Sequence, residues 1–163
     1  MVCRSLLLAL IYVFTLNSCK GAGCHHGWVA YTDKCYMFSH MAEPWPTASS
    51  YCHSYQGKLA EPITPGEQSF LASHASSQKH LYWIGISDVI VENQWIYSST
   101  QHSLVVNNWR HGQPDGHSGE NCVLMDGHSH GQWRDTHCHV SERFVCEMSL
   151  EESSFASPIA IIG

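Results

Sequence analysis

Charge is scarce in this chain. Lys and Arg number 8 and Asp and Glu 14, together 13% of 163 residues, for a formal net charge of −6. No run of Lys or Arg occurs, and without a basic patch a phosphate backbone has nothing to grip, which disfavours nucleic acid as a partner. No C-x-x-C pair is present to nucleate a zinc site. H-E-x-x-H, G-x-S-x-G and the phosphate-binding P-loop are also missing, so the chain reads as a binder and not an enzyme. There is no internal repeat and no low-complexity linker. After the first residues no long apolar run follows, and SPIAIIG at 157–163 is too short to cross a bilayer.

What is present argues for an ordered, exported domain. Six Trp and seven Tyr have to be buried or used. Arg4 precedes the apolar run SLLLALIYVFTL at 5–16, and small and polar residues follow. Residues 1–22 therefore read as a secretion signal, with no membrane span left after its removal. Eight cysteines fit that compartment. Cys3 lies in the signal and Cys19 near its cleavage region. If Cys19 survives processing it is an odd thiol, able to link two chains. The six in the body, Cys24, Cys35, Cys52, Cys122, Cys138 and Cys146, read as disulfides, and fifteen pairings are open to them.

Along the chain, GWVAYTDKCYMFS (27–39) reads as a hairpin around a TDK turn. Pro46 opens a helix that ends at Gly57, with Ala48, Tyr51, Cys52 and Tyr55 forming one apolar stripe. A second helix is predicted over 65–74, capped by Thr64 with Glu67 three residues on, and with Phe70 and Leu71 inward. Strands are predicted at YWIGIS (82–87), 95–97, CVLMD (122–126), QWRD (132–135) and RFVCEM (143–148). Early helices and late strands make an α+β domain with an antiparallel sheet.

The turn-rich stretch 98–121 is long enough to be functional, and Trp109 within it argues for order. Its segment HGQPDGHSGENC (111–122) is too polar for a core and too Gly-rich for a helix. It places Gln113, Asp115 and Glu120 within eight positions, a set of oxygen ligands. Thirteen His residues add two i, i+2 pairs, His128 with His130 and His137 with His139. Such pairs face one way on a strand and suit zinc; the alternative is solvated turns whose charge changes near pH 6.5.

A constellation of residues carries a family resemblance. It comprises WIGI at 83–86, Trp95-Ile-Tyr97, W-x-x-G-x-P at 109–114, QPD at 113–115, Glu120-Asn121-Cys122, Trp133-x-Asp135 and FVCE at 144–147. Residues 24–148 resemble a C-type lectin-like domain, and within it the small secreted invertebrate lectins of the perlucin-like, QPD type. Residues 149–163 are then a short tail. The resemblance implies the pairings Cys24–Cys35, Cys52–Cys146 and Cys122–Cys138.

It also implies a site. In sugar-binding members one Ca²⁺ is held by two side chains flanking a cis-proline, by a Glu further on, and by an Asn-Asp pair after a Trp. Mapped here, these are Gln113 and Asp115 around Pro114, then Glu120 and Asp135. Ca²⁺ takes 6–8 oxygens at about 2.3–2.6 Å, and two neighbouring sugar hydroxyls complete the shell. The family's Asn is Arg134 in this chain, a side chain with five donors and no acceptor. Either Arg134 turns outward and calcium binds, or it replaces the cation by forking onto Asp115 or Glu120. QPD implies galactose or N-acetylgalactosamine, with His117 in the slot where a stacking Trp often stands. The expected function is a secreted lectin for terminal galactose-type glycans, on glycoproteins or on microbes as part of innate immunity. Weak single sites would make a homo-oligomer useful. The alternative is a lectin-like domain without sugar binding, serving as a structural or biomineral-matrix protein.

Overall fold

The computed structural model describes residues 23–116 and 119–150. The signal expected at 1–22, with Cys3 and Cys19, lies outside the described residues, as do His117, Ser118 and 151–163.

The chain opens with a hairpin of β1 (Val29–Tyr31) and β2 (Lys34–Phe38), turning at Thr32 with φ 52°. Helix α1 (Trp45–Ser54) follows, then β3 (Lys58–Leu59), α2 (Pro65–Gln78) and β4 (Leu81–Ser87). After β5 (Ile96–Tyr97) comes the long irregular stretch, and then β6 (Cys122–Asp126), β7 (Gln132–Thr136) and β8 (Arg143–Ser149). The strands run in the order β1-β2-β8-β4-β6-β7, with β3 also on β8 and β5 also on β4. No helix among the described residues is long and apolar enough to cross a membrane.

The sheet is mixed, where the sequence led us to expect an antiparallel one. β8 pairs antiparallel with β2 but parallel with β4, through Tyr82↔Arg143 and Trp83↔Phe144. A parallel pair needs a long crossover, and the sixty-odd positions between these partners supply it. Strand β8 runs one residue into the stretch read as tail, ending at Ser149.

Helix α1 starts one residue earlier than expected, with Trp45 before Pro46, and buries Ala48 and Cys52; Tyr55 is exposed and leaves the stripe. Gly57 follows it because a Cβ there would lie 2.4 Å from the Glu147 carbonyl oxygen. Helix α2 is capped as expected: the Glu67 N–H donates to Thr64 Oγ1 at 3.1 Å. It runs four residues past the predicted end, with Ala75 buried in the core; the Ser73 and Ser76 hydroxyls are satisfied on carbonyls one turn back. Lys79 ends it in the left-handed region.

Two apolar clusters hold the layers together. One gathers Tyr36, Leu71, Ile84, Ile86, Met125, Trp133 and Val145; the other sets Trp83, Leu124 and Phe144 against α1. Charged groups are also buried under β8. Lys34 Nζ donates to Glu67 at 2.7 Å and Glu147 at 3.2 Å, and Lys58 Nζ bonds Glu61 at 2.5 Å and reaches Glu147 at 3.4 Å. Burial pushes the Glu147 carboxyl up, against the pull of Lys34. Burial opposes the charge on Lys34, yet Glu147 and Glu67 more than offset it and raise its pKa.

The three pairings implied by the resemblance are those observed: Cys24–Cys35, Cys52–Cys146 and Cys122–Cys138. Cys52–Cys146 ties α1 to β8 across a sequence separation of 94. A loop of roughly 100 residues closed this way restricts the unfolded chain by about 4.7 kcal/mol on the chain-entropy view. Replacing both Cys52 and Cys146 by Ala is expected to abolish the near-UV circular dichroism at body temperature; a double variant that keeps the wild-type urea midpoint refutes this.

Candidate functional site

Two adjacent strands set the position of the site. Ser87 at the end of β4 pairs with Cys122 at the start of β6, so the chain after β4 and the chain before β6 leave the sheet side by side. The Cys122–Cys138 bridge fixes the base. Trp109 orders the stretch above it: its ring meets Trp95 at 5.0 Å and Trp133 at 5.7 Å, both edge-on. The backbone around it zips to β7, with Trp133 N–H on the Asn108 carbonyl at 2.8 Å and Arg110 N–H on the Trp133 carbonyl at 2.9 Å. Order at Trp109 is thus achieved by aromatic packing and main-chain bonds without a regular strand.

From that anchor the segment folds onto β7. The Gln113–Pro114 peptide is cis. Gln113 spans the turn: its Nε2 donates to Asp115 Oδ1, and its Oε1 accepts the Asp135 N–H at 3.0 Å. The Asp135 carboxylate accepts two main-chain N–H groups in return, Asp115 at 3.2 Å and Gly116 at 2.6 Å. Position 116 has to be glycine, since a Cβ there would lie 2.2 Å from Asp135 Oδ2. Asp115, Glu120 and Asp135 each present a carboxylate oxygen, and the three lie within 4.8 Å of one another. Gln113, Asp115, Glu120 and Asp135 are therefore brought together; His117 lies outside the described residues.

Arg134 turns away from this cluster. Along β7 the side chains alternate, with Trp133 and Asp135 buried on one side and Arg134 half-exposed on the other. The Arg134 charge acts on Glu142, whose carboxyl burial raises and Arg134 lowers. The alternative in which Arg134 forks onto Asp115 or Glu120 is not what the structure holds. Among the described residues the only ion-pair partner of the three carboxylates is His137, whose Nδ1 lies 3.1 Å from Glu120 Oε1.

The donor set fits calcium. Oxygens about 2.3–2.6 Å from one ion stand within about 5 Å of each other, which the three carboxylates satisfy. Three negative charges so close repel unless a cation joins them. With Arg134 where the resemblance expects Asn, the chain offers one side-chain oxygen fewer than the set the resemblance implies. The two His pairs form no such group: among the described residues the metal-compatible cluster is the carboxylate trio. The His137 and His139 rings stand edge-on at 5.4 Å, with His137 turned to Glu120.

Sequence reasoning missed Asp88, just past the predicted strand. It is 2% exposed, its N–H donates to the Asn121 carbonyl at 3.2 Å, and its Oδ2 accepts the Asn93 N–H at 2.8 Å. Its Oδ1 has no hydrogen-bond partner among the described residues. Burial raises its carboxyl, and the nearby Asp135 charge adds to that. An acidic residue directly after a buried apolar strand was the available signal.

This fold is that of a C-type lectin domain. The chain belongs to the C-type lectin family: the family model described as Lectin C-type domain matches residues 41–148. It is 34% identical over 151 residues to C-type lectin domain family 10 member A of Homo sapiens, covering 87% of this chain and 46% of that protein. It is 32% identical over 147 residues to asialoglycoprotein receptor 1 of Mus musculus, covering 86% and 50%. The chain thus spans about half the length of these relatives. Among solved structures, the mouse scavenger receptor C-type lectin carbohydrate-recognition domain superposes with TM-score 0.73 at 31% identity, covering 77% of this chain and 96% of that one. The cow carbohydrate-recognition domain of CD23, solved in the presence of a GlcNAc2Man3 oligosaccharide, gives 0.70 at 34%, covering 78% and 96%. Domains of this family and fold are not enzymes.

Asp88 generates a prediction for the metal-free protein. A raised carboxyl costs nothing below the ordinary aspartate pKa and destabilises progressively as pH rises through its folded value. In chelator, Asp88→Asn is expected to raise stability near neutral pH by on the order of 1 kcal/mol. The gain should vanish as pH falls below the ordinary carboxylate range, measured as the shift in urea midpoint against pH.

Proposed function

We propose that this protein is a calcium-dependent lectin for terminal galactose or N-acetylgalactosamine. The observation that carries the reading is the convergence of Gln113, Asp115, Glu120 and Asp135 at one exposed end of the sheet, with no Arg or Lys paired to the carboxylates among the described residues. Bound calcium would supply direct coordination to two neighbouring sugar hydroxyls. The chain's own groups supply orientation. Gln113 Nε2 is a donor to a hydroxyl oxygen, while Asp115 and Glu120 accept hydroxyl protons. Asp135, buried and held by two main-chain N–H groups, keeps the loop in register. The amide-then-carboxylate order of Gln113 and Asp115 sets which hydroxyl meets a donor, and this supports the galactose-type preference.

Export under a signal at 1–22 fits the disulfides, and glycans on glycoproteins or microbial surfaces are the partners this location offers, with oligomers adding avidity. A second reading is a lectin-like module without sugar binding, with a structural or mineral-matrix role; the loss of one oxygen ligand to Arg134 favours it.

Retention on galactose–agarose is the deciding experiment. Elution by a chelator is expected, and passage straight through the column with calcium present rejects the lectin reading. Because Arg134 faces Glu142, Arg134→Ala is expected to leave calcium affinity within roughly threefold by calorimetry, a screened surface charge having little reach. Asp135→Asn should abolish both calcium binding and retention.

A further inference from the structure

Directly after Asp88 the chain exposes three consecutive aliphatic side chains: Val89 at 59%, Ile90 at 62% and Val91 at 46%. They sit on a turn closed by the Asn93 N–H on Asp88 Oδ2 and the Gln94 N–H on the Val91 carbonyl at 3.0 Å. The root of that turn stands beside the candidate site, since the Asp88 N–H donates to the carbonyl of Asn121, the neighbour of Glu120, at 3.2 Å. Other exposed aliphatics, such as Ile63 and Val105, line a separate cavity of about 590 Å³ beside Lys58 and Glu147. Val89–Val91 is thus an apolar projection next to the place proposed for a sugar.

We propose that the sugar this site takes is the head group of a membrane glycolipid, with Val89, Ile90 and Val91 entering the apolar layer beside it. The proposal rests on the galactose reading above and adds to it where the sugar is displayed. Continuity argues for it: the loops carrying the two features leave the sheet from neighbouring strands. Size argues against a protein partner. A stable interface buries about 800 Å² per side, which three side chains on one turn cannot supply. Charge restricts the kind of membrane: residues 88–93 hold Asp88 and Glu92 but no Lys or Arg, and the chain is −6 overall, which disfavours anionic lipid and leaves a neutral surface around the glycolipid. Exposed aliphatic residues rimmed by polar ones are what membrane and ligand contacts share.

The test uses the full chain with calcium, phosphatidylcholine vesicles with and without galactosylceramide, and free galactose. Wild type is expected to sediment with galactosylceramide vesicles and not with plain ones. The triple variant Val89→Ser, Ile90→Ser, Val91→Ser is expected to bind those vesicles at least roughly tenfold more weakly, from the apolar area withdrawn from water, while its affinity for free galactose is unchanged. Equal vesicle binding by the two proteins overturns the proposal. So does equal binding of wild type to plain vesicles, which would make the loop a membrane anchor indifferent to the sugar. A variant that also loses free galactose overturns it by showing the loop to be support for the site. Wild type that ignores free galactose overturns the preceding reading, and this one with it.

Discussion

Asp135 is a buried carboxylate at the end of a short strand, and the irregular part of the molecule depends on how it is satisfied. Its main-chain N–H is taken by Gln113, and its two oxygens take the N–H groups of Asp115 and Gly116. A buried charge left without donors is costly, so the segment 113–116 has one strongly preferred way to lie on β7. That placement turns Gln113 and Asp115 toward Glu120. A separate constraint keeps it rigid: the Trp95, Trp109 and Trp133 rings pack edge-on underneath, and the Cys122–Cys138 bridge closes the base.

The β2, β3 and β8 side of the sheet solves a similar problem differently. Glu61, Glu67 and Glu147 are buried, and two lysines serve all three, with Tyr36 also donating to Glu67. Breaking one member of such a set strands the others, so it fixes how β2, β3 and α2 meet β8. The long stretch after β5 starts from this network, with the Ser99 N–H on Glu61 Oε1 at 2.8 Å and the Ser98 hydroxyl on the same oxygen at 3.1 Å. The enclosed charges hold the scaffold, and exposed loop residues away from Glu61 can vary without disturbing it. Val89–Val91 is such a stretch: exposed aliphatic side chains outside the core clusters, on a turn that Asp88 closes.

The spacing of cysteines, tryptophans and the QPD segment made much of this legible before any coordinates. The family pattern implied three disulfides and the four oxygen-bearing side chains, and these meet in space. Helix α2 was under-read because its last turn is a serine-rich run with weak periodicity, anchored by the burial of Ala75. Tyr55 was over-read into an apolar stripe because position on a helix does not say how far the neighbouring sheet extends.

By itself, then, the sequence determined the α+β class, the disulfide-bonded character and the oxygen-bearing side chains of the candidate site, because these depend on residue type and on spacing along the chain. Three matters belonged to the tertiary structure alone. The parallel pairing of β4 with β8 joins partners sixty-odd positions apart. The direction of Arg134 follows from the pleat of β7 and the carboxylate of Glu142 on its far side. The burial of Asp88 beside Asn121 depends on two loops leaving adjacent strands. Each is a relation between segments distant in the chain, and no local pattern of residues encodes the distance or the side on which they meet.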